Sequence, residues 1–157
     1  MDWAGWAVFG LIATAGLTAF MMIAQVVGLT RMDLPLMLGT IATADPDRAR
    51  VVGFFAHLGF GQLFALGYAL VFTVVDSATV WLGAALGLLH GVIALAVLVP
   101  LLPGVNPRMA SSRAGPSATA ALEPPGMFAL NYGVQTPLVA LIGHVAFGAL
   151  LGLVLTA

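Results

Sequence analysis

Four apolar stretches, at approximately residues 3–29, 51–75, 80–102 and 137–157, are each long enough to cross a lipid bilayer as a helix. A hydrocarbon core of about 30 Å takes about 20 apolar residues in helical form. The five Arg and the six Asp and Glu residues all fall between these stretches or at their edges, as the cost of a charge at the bilayer centre demands. Only 7% of the chain is charged and 61% is hydrophobic, whereas soluble domains are about one quarter charged. The expected fold is therefore an all-α, four-transmembrane-helix bundle. It forms one polytopic domain over residues 1–157, with the lipid bilayer as its main partner.

The same composition excludes several classes of function. A net charge of −1 with no lysine provides no basic surface to track a phosphate backbone, which argues against nucleic acid as a partner. The absence of cysteine removes disulfides, thiolate catalysis and cysteine-ligated zinc or iron–sulfur sites. The chain opens Met1-Asp2-Trp3 with no cation before Arg31. A cleaved signal peptide has a basic start, so the first span is expected to be retained. Arg31, Arg48 and Arg50 lie in the first loop and Arg108 and Arg113 in the third, while the N-terminus, the turn at Asp76 and the C-terminus carry no Lys or Arg. The positive-inside rule then puts loops 1 and 3 in the cytoplasm and both termini outside, with Trp3, Trp6 and Trp81 as an aromatic belt at the outer interface.

Between the spans, Asp45-Pro46-Asp47 reads as a helix start: a side-chain cap, a proline at the first helical position and a carboxylate at the positive end of the dipole. Residues 32–41 are too few to span and are expected to form an interfacial segment. Residues 106–125, rich in Ala, Ser, Pro and Gly, read as a flexible loop. The amphipathic pattern from Gly126 to Thr136 suggests a short interfacial or re-entrant helix. One motif recurs, because His57-Leu58-Gly59-Phe60-Gly61 and His144-Val145-Ala146-Phe147-Gly148 share His-x-x-Phe-Gly on helices that run the same way. This suggests two parallel helix–loop–helix halves, as in membrane proteins built by duplication.

The residues that could carry chemistry are few. His57, His90 and His144 all lie within spans, where an ionisable side chain usually faces the bundle interior and needs a partner. Each has glycines at helical spacing: Gly61 after His57, Gly83 and Gly87 before His90, Gly148 and Gly152 after His144. Such stripes are where membrane helices approach closely. These five glycines are thus the expected packing positions, and the rings are expected to point inward, towards Thr14, Thr18, Met21 and Gln25 of the first span.

Two readings of the histidines follow. In one they hold a cofactor, as paired imidazoles on haem iron or as imidazoles joined by Met21 or Met22 on a transition metal such as copper. In the other, which needs no cofactor, each neutral ring bonds a backbone carbonyl, a threonine, Gln25 or Tyr68 and helps to lock the helices. Asp33, Asn131, Tyr132 and Gln135 form a second polar cluster, either lining a cytoplasmic vestibule or making solvated turns. Asp33 itself is expected to cap a helix or to pair with Arg31, Arg48 or Arg50. No serine lies within a span, no intramembrane carboxylate can orient a histidine, and no glycine-rich stretch follows a strand, so an enzyme is not expected.

Met32-Asp33-Leu34-Pro35, Ala56-His57-Leu58-Gly59, Asn131-Tyr132-Gly133 and the segment from Gly143 to Gly152 together resemble a family of small bacterial four-helix membrane proteins of unknown function. The resemblance covers nearly the whole chain and implies an inner-membrane location with no assigned activity. The expected function is that of a small non-enzymatic multi-pass protein. It would serve as an accessory, assembly or structural component among other membrane subunits, or as a bundle that associates with itself. A histidine-ligated haem or metal protein and a small transport module are the alternatives.

Overall fold

A computed structural model describes residues 3–111 and 121–155. Arg113 and the centre of the stretch expected to be a flexible loop lie outside the described residues. The chain is all-helical, and four helices are long and apolar enough to cross a membrane: α1 (Trp3–Val26), α3 (Pro46–Val74), α4 (Val80–Val105) and α5 (Thr136–Val154). A short helix, α2 (Leu34–Gly39), lies between α1 and α3.

Local chemistry sets the helix ends. The Asp45 side chain accepts from the Arg48 N–H at 2.8 Å, so α3 starts at Pro46, ahead of its apolar run. Asp33 does the same for α2, accepting from the Leu36 N–H at 2.9 Å, which makes the expected interfacial segment a capped helix. Thr79 caps α4 through the Leu82 N–H at 3.2 Å. Midway along α4, Ala94–Leu98 is π-helical. This wide turn precedes Pro100, which has no N–H to donate and whose ring crowds the carbonyl one turn back.

The spans form an arc. Helix α1 packs on both α3 and α5, and α4 packs on α5, whereas α3 and α4 make no comparable contact despite the short turn at Asp76 that joins them. Close approach depends on glycine. A Cβ on Gly83 would overlap the Gly148 carbonyl, one on Gly148 the Gly83 carbonyl, one on Gly87 the His144 carbonyl and one on Gly152 the Thr79 carbonyl, while one on Gly61 would overlap the Thr14 side chain. All five expected packing glycines therefore sit at helix contacts. The docking of α2 on α3 depends on two more, Gly39 against the Ala49 carbonyl and Gly53 against the Pro35 carbonyl.

The two His-x-x-Phe-Gly motifs occupy matching places in their helix pairs. His57 and Gly61 face Thr18 and Thr14 of α1, and His144 and Gly148 face Gly87 and Gly83 of α4. The bundle's outer surface carries exposed Ile23, Phe55, Leu63, Val97 and Leu153. Such an apolar band suits acyl chains and not water.

Polar bonds close the arginine-rich end. The Asn106 side chain donates to the Met37 carbonyl and to Thr40 Oγ1, both at 2.9 Å, and thereby ties the end of α4 to α2. Thr30 and Thr136 share a buried hydroxyl bond of 2.7 Å. Asn106→Leu takes the donor from the buried Thr40 hydroxyl and one of two side-chain donors from the Met37 carbonyl, and is expected to cost about 2 kcal/mol, measurable as a lower unfolding midpoint in detergent.

One expectation is corrected. Residues 126–136 do not form an amphipathic helix, because Phe128 and Ala129 have φ of 54° and 57°, so the 3₁₀ segment Met127–Tyr132 contains a left-handed turn. Two consecutive non-glycine residues rarely adopt that region. Here the turn seats Ala129 in complete burial against the end of α4 and the start of α5.

Candidate functional site

Because the backbones of α3 and α4 stay apart, meeting through side chains at His90, the arc encloses a cavity of about 300 Å³. Its walls come from Thr14, Leu17 and Met21 of α1, His57, Phe60 and Phe64 of α3, His90, Ala94 and Leu98 of α4, and Ala140, His144 and Phe147 of α5. Met32, Leu34, Leu38 and Leu102 close it toward the arginine-rich end. Of these wall residues, Phe60 on α3 and Leu98 on α4 are themselves exposed, so the mouth lies between these two helices and faces the acyl-chain region. The π-helical turn contributes Ala94, Leu95 and Leu98, in keeping with the tendency of such turns to mark functional positions.

All three histidines line this one cavity. At 1.5 Å per residue they lie roughly 12–17 Å from the starts of their helices, inside the apolar stretches long enough to span. His57 Nδ1 is 2.9 Å from Thr18 Oγ1, His90 Nδ1 is 3.3 Å from the Tyr68 hydroxyl and His144 Nδ1 is 2.7 Å from the Ala140 carbonyl. These are bonds of the kind that the cofactor-free reading expects, although Gln25 takes no part. The His90 ring stacks on Phe64 with centroids 3.8 Å apart and meets His144 edge-on at 4.7 Å.

Met21 lines the cavity, but Met22 is 53% exposed on the outer face and cannot join the histidines. Among the described residues, no three His, Asp or Glu side chains are grouped so as to hold a metal ion.

The second polar cluster does not assemble. Asp33 caps α2 and pairs with Arg50 at 2.9 Å. The Asn131 side chain donates to the Pro124 carbonyl at 2.9 Å, and the backbone carbonyl of Asn131 accepts from the Arg31 guanidinium. The Tyr132 hydroxyl donates to the Glu123 carbonyl, and Gln135 is exposed at the start of α5. Burial, reinforced by the Glu123 carboxylate and opposed by Arg31, pushes the Tyr132 phenol up to about 12, so it remains a donor at neutral pH. None of the four lines the cavity, whereas His144 does, together with apolar Met32, Leu34, Leu38 and Leu102. The left-handed turn explains the difference, because it swings Asn131 and Tyr132 back onto residues 123–125 instead of presenting them beside Asp33. A polar path from Asp33 through Asn131 to His144, the motive for a transport module, is not formed.

No family model, curated protein or solved structure matches this chain. Its function is therefore read from the cavity and the groups that line it.

Proposed function

We propose that the chain is a non-enzymatic, multi-pass protein of a bacterial inner membrane that holds a small lipid-soluble molecule in the cavity between α3 and α4, as an accessory to other membrane components. The observation that carries this reading is a cavity of about 300 Å³ among the four apolar helices, apolar in its lining apart from the three histidines and Thr14, with exposed Phe60 and Leu98 at its mouth. That volume is at the lower end of the range of small-molecule pockets. The arginines of loops 1 and 3 support a cytoplasmic position for that end of the bundle, and the exposed Trp3 and Trp81 at the other end suit the opposite interface.

The test is native mass spectrometry, solvent extraction and an optical spectrum of the protein purified in mild detergent, compared with Ala94→Trp. Ala94 lines the cavity and is not among the atoms that the packing glycines meet, so the indole is expected to occupy cavity space from α4. The wild-type protein is expected to carry a bound apolar molecule that the variant lacks, with helical content unchanged. A bare wild-type protein, or equal occupancy in both, would refute the proposal. A Soret band or near-stoichiometric metal would favour the haem or metal alternative.

A further inference from the structure

The protons on the histidines can be placed by following each hydrogen bond to its end. Thr14 Oγ1 donates to the Gly10 carbonyl at 2.7 Å and Thr18 Oγ1 donates to the Thr14 carbonyl at 2.8 Å. A hydroxyl has one proton, so Thr18 can only accept in its bond with His57, and His57 Nδ1 carries the proton. The Ala140 carbonyl also only accepts, so His144 Nδ1 carries one too. A charged ring at this depth would need a counter-ion, but the spans contain no carboxylate in their interiors and every ion pair among the described residues lies at the arginine-rich end. Both rings are therefore neutral, and in both Nε2 is a bare lone pair.

Among the described residues neither Nε2 atom has a hydrogen-bond partner, and neither is sealed in the protein interior, where the single unpartnered side-chain polar atom is Gln62 Oε1. Both rings line the cavity. The third histidine is complementary. Among the described residues the buried Tyr68 hydroxyl has His90 Nδ1 as its one partner, so it donates there and leaves the His90 proton on Nε2. The cavity thus offers two acceptors and one donor, and the Thr14 hydroxyl, with its proton already used, adds a further acceptor.

We infer, building on the cavity reading above, that the ligand is anchored by an uncharged hydroxyl group that donates to Nε2 of His57 or His144 and accepts from Nε2 of His90. A carboxylate or a ketone head would set its lone pairs against two bare acceptors and satisfy neither. A single metal ion is disfavoured because the three rings are not grouped as a ligand set. An alcohol or a phenol, including the reduced form of a quinone, meets the pattern, and its apolar remainder fills the cavity or passes out between α3 and α4.

The experiment titrates the detergent-solubilised full chain with 1-dodecanol, decylubiquinol, decylubiquinone and the methyl ethers of the first two, reading occupancy by native mass spectrometry. One lost hydrogen bond to a buried acceptor corresponds to about tenfold in affinity. The alcohol or the quinol is expected to bind about tenfold more tightly than its ether, with the quinol preferred to the quinone. Whichever of the two hydroxyl probes binds identifies the source. Phe at whichever of His57 and His144 accepts the hydroxyl is expected to bring hydroxyl and ether probes to equal affinity, and ¹⁵N-histidine spectra of the wild type are expected to show Nε2 unprotonated on both rings.

Equal affinity for hydroxyl and ether probes would overturn the anchoring and leave the cavity reading standing. No binding of any probe would remove both. Stoichiometric Zn²⁺ or Cu⁺ binding that either Phe variant abolishes would replace the hydroxyl with a metal.

Discussion

Gly148→Ala is expected to destabilise the bundle by about 3 kcal/mol, the upper end of the usual overpacking range. The added methyl would overlap the Gly83 carbonyl and lie 2.9 Å from both Cα and N of Gly87. These neighbours are backbone atoms of α4, so no flexible side-chain end can yield, and the two helices must separate. Separation is costly here because lipid tails are as apolar as the side chains. What holds membrane helices together is close packing and polar contact, not withdrawal from water. Gly83→Ala meets the Gly148 carbonyl from the other side and is expected to match it. Gly59→Ala and Gly67→Ala, on the exposed face of α3 with nothing within 4 Å, are expected to be neutral or to gain up to about 1 kcal/mol from helix propensity. SDS-driven unfolding in mixed micelles measures all four. Equal midpoints for Gly148→Ala and Gly59→Ala would show that α4 and α5 do not meet as described.

The four spans were legible because length and hydropathy leave an apolar run of that size few other fates, and because the charges stop where the spans begin. The start of α3 was legible because Asp45-Pro46-Asp47 places cap, proline and carboxylate in consecutive positions, each acting locally. Gly83, Gly87, Gly148 and Gly152 could be found because their spacing repeats on one face of a long helix. Gly39 and Gly53 could not: they stand alone on two different elements in a stretch of mixed polarity, and nothing in the sequence indicates that the elements meet.

The polar cluster misled for a related reason. Nearness in sequence placed Asn131 and Tyr132 beside Gln135, but the left-handed turn at Phe128 and Ala129 decides where they point, and neither residue type announces it. The inward direction of the histidines followed from their glycine stripes. The cavity between them did not, because it arises where the backbones of α3 and α4 stay apart and meet through the His90 ring against Phe64 and Tyr68, and a separation of backbones leaves no pattern in the chain.

The contact of α2 with α3 predicts the second large effect. Gly53→Ala would drive a methyl into the Pro35 carbonyl and to 2.8 Å from the Gly39 N–H, and from the facing side Gly39→Ala would meet the Ala49 carbonyl and approach its Cα to 2.7 Å. Each change is expected to cost about 3 kcal/mol, again because backbone meets backbone. By comparison, Asp33→Ala loses a helix cap of about 1 kcal/mol and a pair with half-exposed Arg50 worth less than about 1 kcal/mol. The order of effects is thus Gly53 above Asp33, although Asp33 is the residue whose charge draws notice.

Gly53→Ala is also expected to reach the site. Helix α2 and the residues before it supply Met32, Leu34 and Leu38 to the cavity floor, so lifting α2 opens the cavity toward the arginine-rich end and should lower retention of a bound apolar molecule together with stability. Asp33→Ala removes a cap without displacing the backbone and should leave retention near wild type. Measuring unfolding midpoints and probe retention on the same two preparations separates the cases. If Gly53→Ala weakens the fold but retains its ligand, α2 acts only as a structural brace. If both fall together, α2 forms the floor of the binding site.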